Sequence, residues 1–274
     1  MSDSARARRH PRAIAIVWLW FAIWGLILAW PAAAAVGQEF RANADGDAPL
    51  FRPGAIDLLD FLWLARGVLM TGLGHVMVLA PIAILGATIP LAILLARLAD
   101  RTRLEKPTRT IGELVIFEIG AFLIQAVALW GALELAVATS VSLSASFGEV
   151  RADMSGVAVF ALGIVVVLFV SIYRDLASAA LVRSEDSIGE ALRIGGRALA
   201  VRPFALSWAW LWRSAVGMLL VVAGTWLSVR FSGKSGLFLI ALALVHQAAV
   251  AWRVAWRASW LAASMRGVIA SAQT

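Results

Sequence analysis

Cysteine is absent from the 274 residues, which excludes a disulfide framework, a thiolate metal site and a cysteine nucleophile. Histidine occurs only as His10, His75 and His246. These three fall in separate segments, so no metal cluster is legible and no cofactor is expected. The chain has no G-x-S-x-G, no H-E-x-x-H, no Walker A loop and no Gly-rich dinucleotide loop. Gly195-Gly196 reads as close packing or a helix break rather than a phosphate cradle. Charge is scarce too, at 15% of residues. A single Tyr stands against thirteen Trp, which suits interfacial belts better than a soluble surface.

What is abundant is apolar sequence. Hydrophobic residues make up 61% of the chain and the mean hydropathy is +0.85, far above a soluble domain. They come in long runs, so the expected solvent is lipid. The formal charge of +7 is then no nucleic-acid footprint. It fits basic residues held against an anionic membrane face.

The runs place six expected transmembrane helices at about 13–36, 73–96, 114–139, 156–172, 204–229 and 237–256. Arg6, Arg8, Arg9 and Arg12 precede the first, and Ala13 to Trp30 carries no charge. A retained helix and a cleaved signal peptide are both open there, and the 18-residue core is long for a signal. Residues 38–67 form the largest non-cytoplasmic loop, opening on the polar turn Asn43 to Asp47. An EF-hand is excluded because Gly54 stands where its bidentate Glu belongs. Asp57 and Asp60 read as the polar side of a short helix. Pro81 and Pro90 predict kinks in the second span. Residues 140–155 read as a short polar loop, and 97–110 and 173–203 as cytoplasmic loops.

Six spans put both termini on one side, and basic residues choose which. Seventeen of the 24 Lys and Arg fall in the N-terminus, the 97–109 and 174–202 segments and the C-terminal end. Six fall in the alternate segments, and Arg213 lies within a span. Both termini are therefore expected in the cytoplasm.

The interval Tyr173 to Pro203 is the longest charged stretch between spans. Its Ser187-Ile188-Gly189-Glu190 echoes Thr110-Ile111-Gly112-Glu113, 77 residues earlier. The same offset sets Arg97 on Arg174, Leu104 on Leu181 and Lys106 on Arg183. Each tetrapeptide has the S/T-x-x-E form of a helix-capping box. After Ser187, Ile188, Ala191, Leu192, Gly195, Ala198 and Leu199 recur at helical steps, with Glu190, Arg193 and Arg197 opposite. Two cytoplasmic amphipathic helices in the membrane interface are expected. The even number of spans between them fits a parallel duplication rather than an inverted repeat.

Ionisable groups inside apolar spans are costly and default to functional candidates. At about 1.5 Å per residue, Arg213, Gln125, His246 and Gln247 fall in one inner layer, with Glu118 shallower and within reach of Arg213. Glu134 and His75 form an outer pair. Such a layer is either a solute or proton path or simple inter-helix bonding. Trp252, Trp256 and Trp260, with Arg253 and Arg257, make a stripe expected to anchor a helix at the interface.

The order of parts resembles a group of bacterial six-span membrane proteins of unknown function. They are distantly similar to the membrane domain attached to some glycerophosphodiester phosphodiesterases. The residues carrying the likeness are Arg174-Asp175-Leu-Ala, Ser184 to Leu192 and Arg202-Pro203-Phe204, with Arg253 and Arg257 ending the sixth span. The resemblance implies a bacterial inner-membrane location. That family's catalytic module is a separate soluble domain with no counterpart here, so no enzymatic residue carries over.

The expectation is an all-α, six-span protein with two interface helices and no enzymatic activity. It would act as a scaffold or accessory subunit binding membrane lipid or a protein partner, including a second copy, and not nucleic acid. The alternative is a transporter of a small solute or lipid using the layer around Arg213.

Overall fold

The computed structural model describes residues 7, 9–42, 66–101, 104–185, 187–230 and 237–271. The polar turn at 43–47, Asp57, Asp60 and most of the 38–67 loop lie outside the described residues, as does the turn at 231–236. Within them the all-α class holds, with no strand. The helices are α1 (Pro11–Ala42), α2 (Arg66–Gly86), α3 (Thr88–Leu98), α4 (Pro107–Phe147), α5 (Glu149–Ser184), α6 (Ile188–Val201), α7 (Pro203–Arg230) and α8 (Leu237–Ser271).

Five stretches are long and apolar enough to cross a membrane: Pro11–Pro31, Gly74–Leu98, Pro107–Ser144, Glu149–Ser184 and Pro203–Leu227. The sixth expected span, 237–256, falls inside α8. Large apolar side chains stand exposed along these helices, among them Val127, Trp130, Val157, Leu162 and Leu219. Surfaces of that kind belong in lipid rather than water, and the protein is membrane-embedded.

Several boundaries differ from expectation. The second span is divided at Ala87. Pro90, without an N–H, sits in the first turn of α3, where a helix start tolerates it, while Pro81 lies inside an unbroken α2. The polar segment 140–155 is not a loop: α4 continues to Phe147, and α5 begins at Glu149. The whole reversal is made at Gly148, whose φ of 79° is a left-handed value open to glycine. The 173–203 segment is mostly helical, because α5 runs on to Ser184 and α6 follows within four residues.

The chain forms two compact units, one of Met1–His10, Leu91–Ala215 and Trp256–Thr274 and the other of Pro11–Pro90 and Val216–Ala255. In the second, α1 packs on α2. Trp20 Nε1 donates to the Ala83 carbonyl at 3.2 Å, and its ring occupies the space a side chain at Gly86 would need.

The first unit is built on the antiparallel pair α4–α5. Small residues let the two backbones approach. A Cβ at Gly156 would lie 2.8 Å from the Ala136 carbonyl oxygen, and one at Gly163 would collide with the Ala132 Cβ. Close packing of this kind is how helices associate when lipid supplies no hydrophobic drive between them. α5 changes character along its length. Its first two-thirds show apolar side chains outward, whereas Asp175 to Val182 are all buried. That buried end receives α6, with Gly195 seated on Ala177 at Cβ distances from 3.0 Å. Tyr173 Oη donates to the Leu192 carbonyl at 3.1 Å. The C-terminal part of α8 completes the core, with Ala258, Trp260, Leu261, Met265 and Val268 buried.

Candidate functional site

Two neighbouring positions on α5 point to different helices. Arg174 and Asp175 are one residue, and so about 100° of helix, apart. Arg174 Nη1 reaches Glu118 Oε2 on α4 at 3.1 Å, while its Nη2 holds Asp175 Oδ1 at 2.9 Å. Asp175 turns to α8, where Arg257 Nη2 donates to Oδ1 at 3.2 Å and Trp260 Nε1 donates to Oδ2 at 2.8 Å. The chain Glu118–Arg174–Asp175–Arg257 alternates sign and sums to zero. Charges this deep persist only when paired and hydrogen-bonded. Asp175 is 2% exposed and offers no face to a diffusing ligand. Its chemistry is to lock α4, α5 and α8 together.

A second acid works at the end of α5. Glu185 has a left-handed backbone, φ 53°, and its carboxylate accepts from the amides of Glu105 at 3.2 Å and Lys106 at 2.8 Å. Arg101 Nη1 binds the same carboxylate, and Arg101 Nη2 donates to the Arg183 carbonyl at 2.6 Å. Burial raises the Glu185 carboxyl, but the two amides and the Arg101 guanidinium outweigh it and hold it below its ordinary value. Lys106 is the N-cap of α4 and has no side-chain cap bond. Glu185 therefore supplies an anion at the amides opening that helix, where unsatisfied N–H groups favour one.

These contacts correct the capping expectation. Thr110 does not cap a helix: α4 opens at Pro107, and Thr110 is buried in its first turn. Pro at the first helical position needs no N–H and fixes the start three residues earlier. Glu113 pairs with Arg109 at 2.9 Å, one turn back. No separate interface helix forms there. Ser187 does cap α6, accepting from the Glu190 amide at 3.4 Å, while Arg193 engages the Glu190 carboxylate at 2.6 Å. The 77-residue echo is not a structural repeat, because Leu104 is non-helical whereas Leu181 is helical and buried. The segments around Lys106 and Arg183 instead meet at Glu185.

The inner polar layer is divided among separate partners. Glu118, expected beside Arg213, is held by Arg174. Gln125 donates to Ser171 Oγ at 2.7 Å and to the Val167 carbonyl at 3.3 Å, joining α4 to α5. Arg213 is 9% exposed. Its Nε donates to Ser259 Oγ at 3.2 Å and its Nη1 to the Ala209 carbonyl at 2.9 Å. Its guanidinium also lies 4.6 Å from the Trp212 ring centroid. His246 and Gln247 belong to the second unit, where His246 flanks Gly224. Glu134 and His75, the expected outer pair, are both exposed and lie in different units.

The tryptophan stripe splits as well. Trp252 is exposed, Trp256 packs edge-on against Trp212 at 4.9 Å, and Trp260 is a core residue bound to Asp175. Only Trp252 keeps the exposed, lipid-facing character expected of an anchor.

A cleft of about 410 Å³ lies beside Arg213, lined by Arg202, Arg213 and Arg266, by Val201 and Leu206, and by alanines and a glycine of α6, α7 and α8. Sequence reading missed Asp175 as a hub, Glu185 as a clasp and this cleft. The signals for the hub were present: adjacent opposite charges ending an apolar run, and Arg257 with Trp260 three residues apart on one helix face. Glu185 carries no such local signal. Among the described residues no group of three His, Asp or Glu could hold a metal ion. Comparison with protein families, curated proteins and solved structures finds no match to this chain.

Proposed function

We propose that this is a six-span inner-membrane protein with both termini cytoplasmic, acting without catalysis as a scaffold or accessory subunit. Its basic cytoplasmic face binds anionic lipid or a partner. The observation that supports this reading best is the division of its charges. Glu118, Arg174, Asp175 and Arg257 are engaged in holding helices together. By contrast Arg193, Arg197, Arg202 and Arg266 stand exposed at what would be the cytoplasmic end. α6, with Ala191, Gly195 and Ala198 buried and its arginines outward, then lies along the membrane surface.

The test is hydrogen exchange of residues 187–200 in anionic and zwitterionic nanodiscs. Arg193→Glu with Arg197→Glu is expected to lower protection in the anionic discs alone, since each basic residue near such a surface contributes about 1 kcal/mol. Equal exchange in both lipids, for both proteins, would contradict the reading.

A second reading is transport of a small anion or lipid, and the cleft reaching Arg213 favours it. Arg213→Leu separates the two. A folded Leu variant that fails to complement a deletion supports transport, and a complementing one supports the scaffold.

A further inference from the structure

Three guanidinium groups line one cleft. Arg202 ends α6, Arg213 lies on α7 and Arg266 on α8, and the wall between them is mostly alanine and glycine, with Val201 and Leu206. Small residues leave the volume open, and about 410 Å³ is within the range of small-molecule clefts. Planar guanidinium forks match phosphate oxygens better than any other side chain.

The depths of the three arginines narrow the ligand. Arg213 bonds Ala209 one turn back on α7 and Ser259 across on α8, so its guanidinium sits at the level of those residues. Arg202 lies seven residues before Ala209, and Arg266 seven after Ser259, placing both on the order of 10 Å further along. A ligand with acceptors at two levels suits that backbone spacing, and a glycerophospholipid has them, with its phosphate between the outer pair and its ester carbonyls accepting from the inner guanidinium.

We infer that this cleft binds the headgroup of an anionic phospholipid. Arg202 and Arg266 grip the phosphate, and Arg213 contacts the glycerol ester region. The inference rests on the lipid-binding reading above and gives it a defined site.

The experiment titrates the full-length protein in neutral detergent with short-chain phosphatidylglycerol, phosphatidylcholine or inorganic phosphate, and reads bound species by native mass spectrometry. Phosphatidylglycerol is expected to bind at one site, with phosphatidylcholine at least about tenfold weaker. Inorganic phosphate should fail to displace the lipid. Arg202→Gln with Arg266→Gln, both on exposed residues, is expected to weaken phosphatidylglycerol roughly thirtyfold, about fivefold for each guanidinium. Ala205→Leu narrows the cleft without changing charge and should weaken it too. Equal exchange in the two nanodiscs alongside selective phosphatidylglycerol binding would count against the surface reading alone, and a nanodisc difference without that selectivity would count against the site alone, so the two proposals fail separately. Equal binding of the two lipids, displacement by phosphate, or full affinity in the Arg202/Arg266 double variant would overturn the site.

Discussion

The indole Nε1 of Trp260 donates to Asp175 Oδ2 at 2.8 Å, joining residues 85 apart in the chain. The bond fixes α8 against α5 at a depth where neither group meets solvent. Removing the acid leaves Arg257 and the indole without this partner, whereas removing the indole N–H leaves Asp175 with both guanidinium groups. Asp175→Ala is therefore expected to cost about 3–5 kcal/mol and Trp260→Phe about 1.5–3 kcal/mol. Unfolding of the purified protein in a denaturing detergent series measures both. A Trp260→Phe loss as large as that of Asp175→Ala would show that the indole, not the ion pairs, carries the hub.

Glu185 gives the fold an acid-sensitive joint. Its carboxyl titrates below its ordinary value in the folded protein. Its contribution is therefore fully present above the unfolded carboxylate value and is lost as pH falls through the depressed folded one. Acidification should release the Glu105 and Lys106 amides to exchange in that window, and Glu185→Gln should abolish the pH dependence. Glu185→Gly should be less harmful than Glu185→Ala, because glycine relieves the left-handed backbone at φ 53°. An unchanged acid profile in Glu185→Gln would locate the joint elsewhere.

The α4–α5 contact depends on the absence of a side chain at Gly163. Gly163→Ala is expected to destabilise by about 1–3 kcal/mol through overpacking, because its Cβ meets that of Ala132. Adding Ala132→Gly should restore most of the loss. Two additive single effects would mean that the helices separate rather than collide.

Much of this was legible from residue order alone. Apolar runs announced helices in lipid, because a helix satisfies its own backbone where water cannot. Ser187 announced the start of α6, since a hydroxyl three residues before a backbone N–H is a local relationship. Thr110 failed as a cap for a reason also local: Pro107 set the helix start earlier, and the same letters then fell inside the first turn. The polar stretch 140–155 looked like a loop by composition, yet a left-handed Gly148 lets two helices meet with one residue between them. The hub was harder to see. Depth along each span brought Arg213 near Glu118, but depth says nothing of which face a residue occupies. Arg174, nearer the end of its apolar run, holds the acid instead.

Sidedness carries the functional reading, and the natural lack of cysteine makes it directly measurable. Gly189 on α6 and Val150 at the α4–α5 turn are both exposed, Val150 at 75%, and they accept a single reporter thiol each. Gly189→Cys and Val150→Cys would be treated with a membrane-impermeant maleimide in spheroplasts and in inverted inner-membrane vesicles. Labelling of Gly189→Cys in inverted vesicles alone, and of Val150→Cys in spheroplasts alone, is the predicted result. Labelling of Gly189→Cys in intact spheroplasts would place the basic face outside the cytoplasm and contradict the proposed function at its foundation.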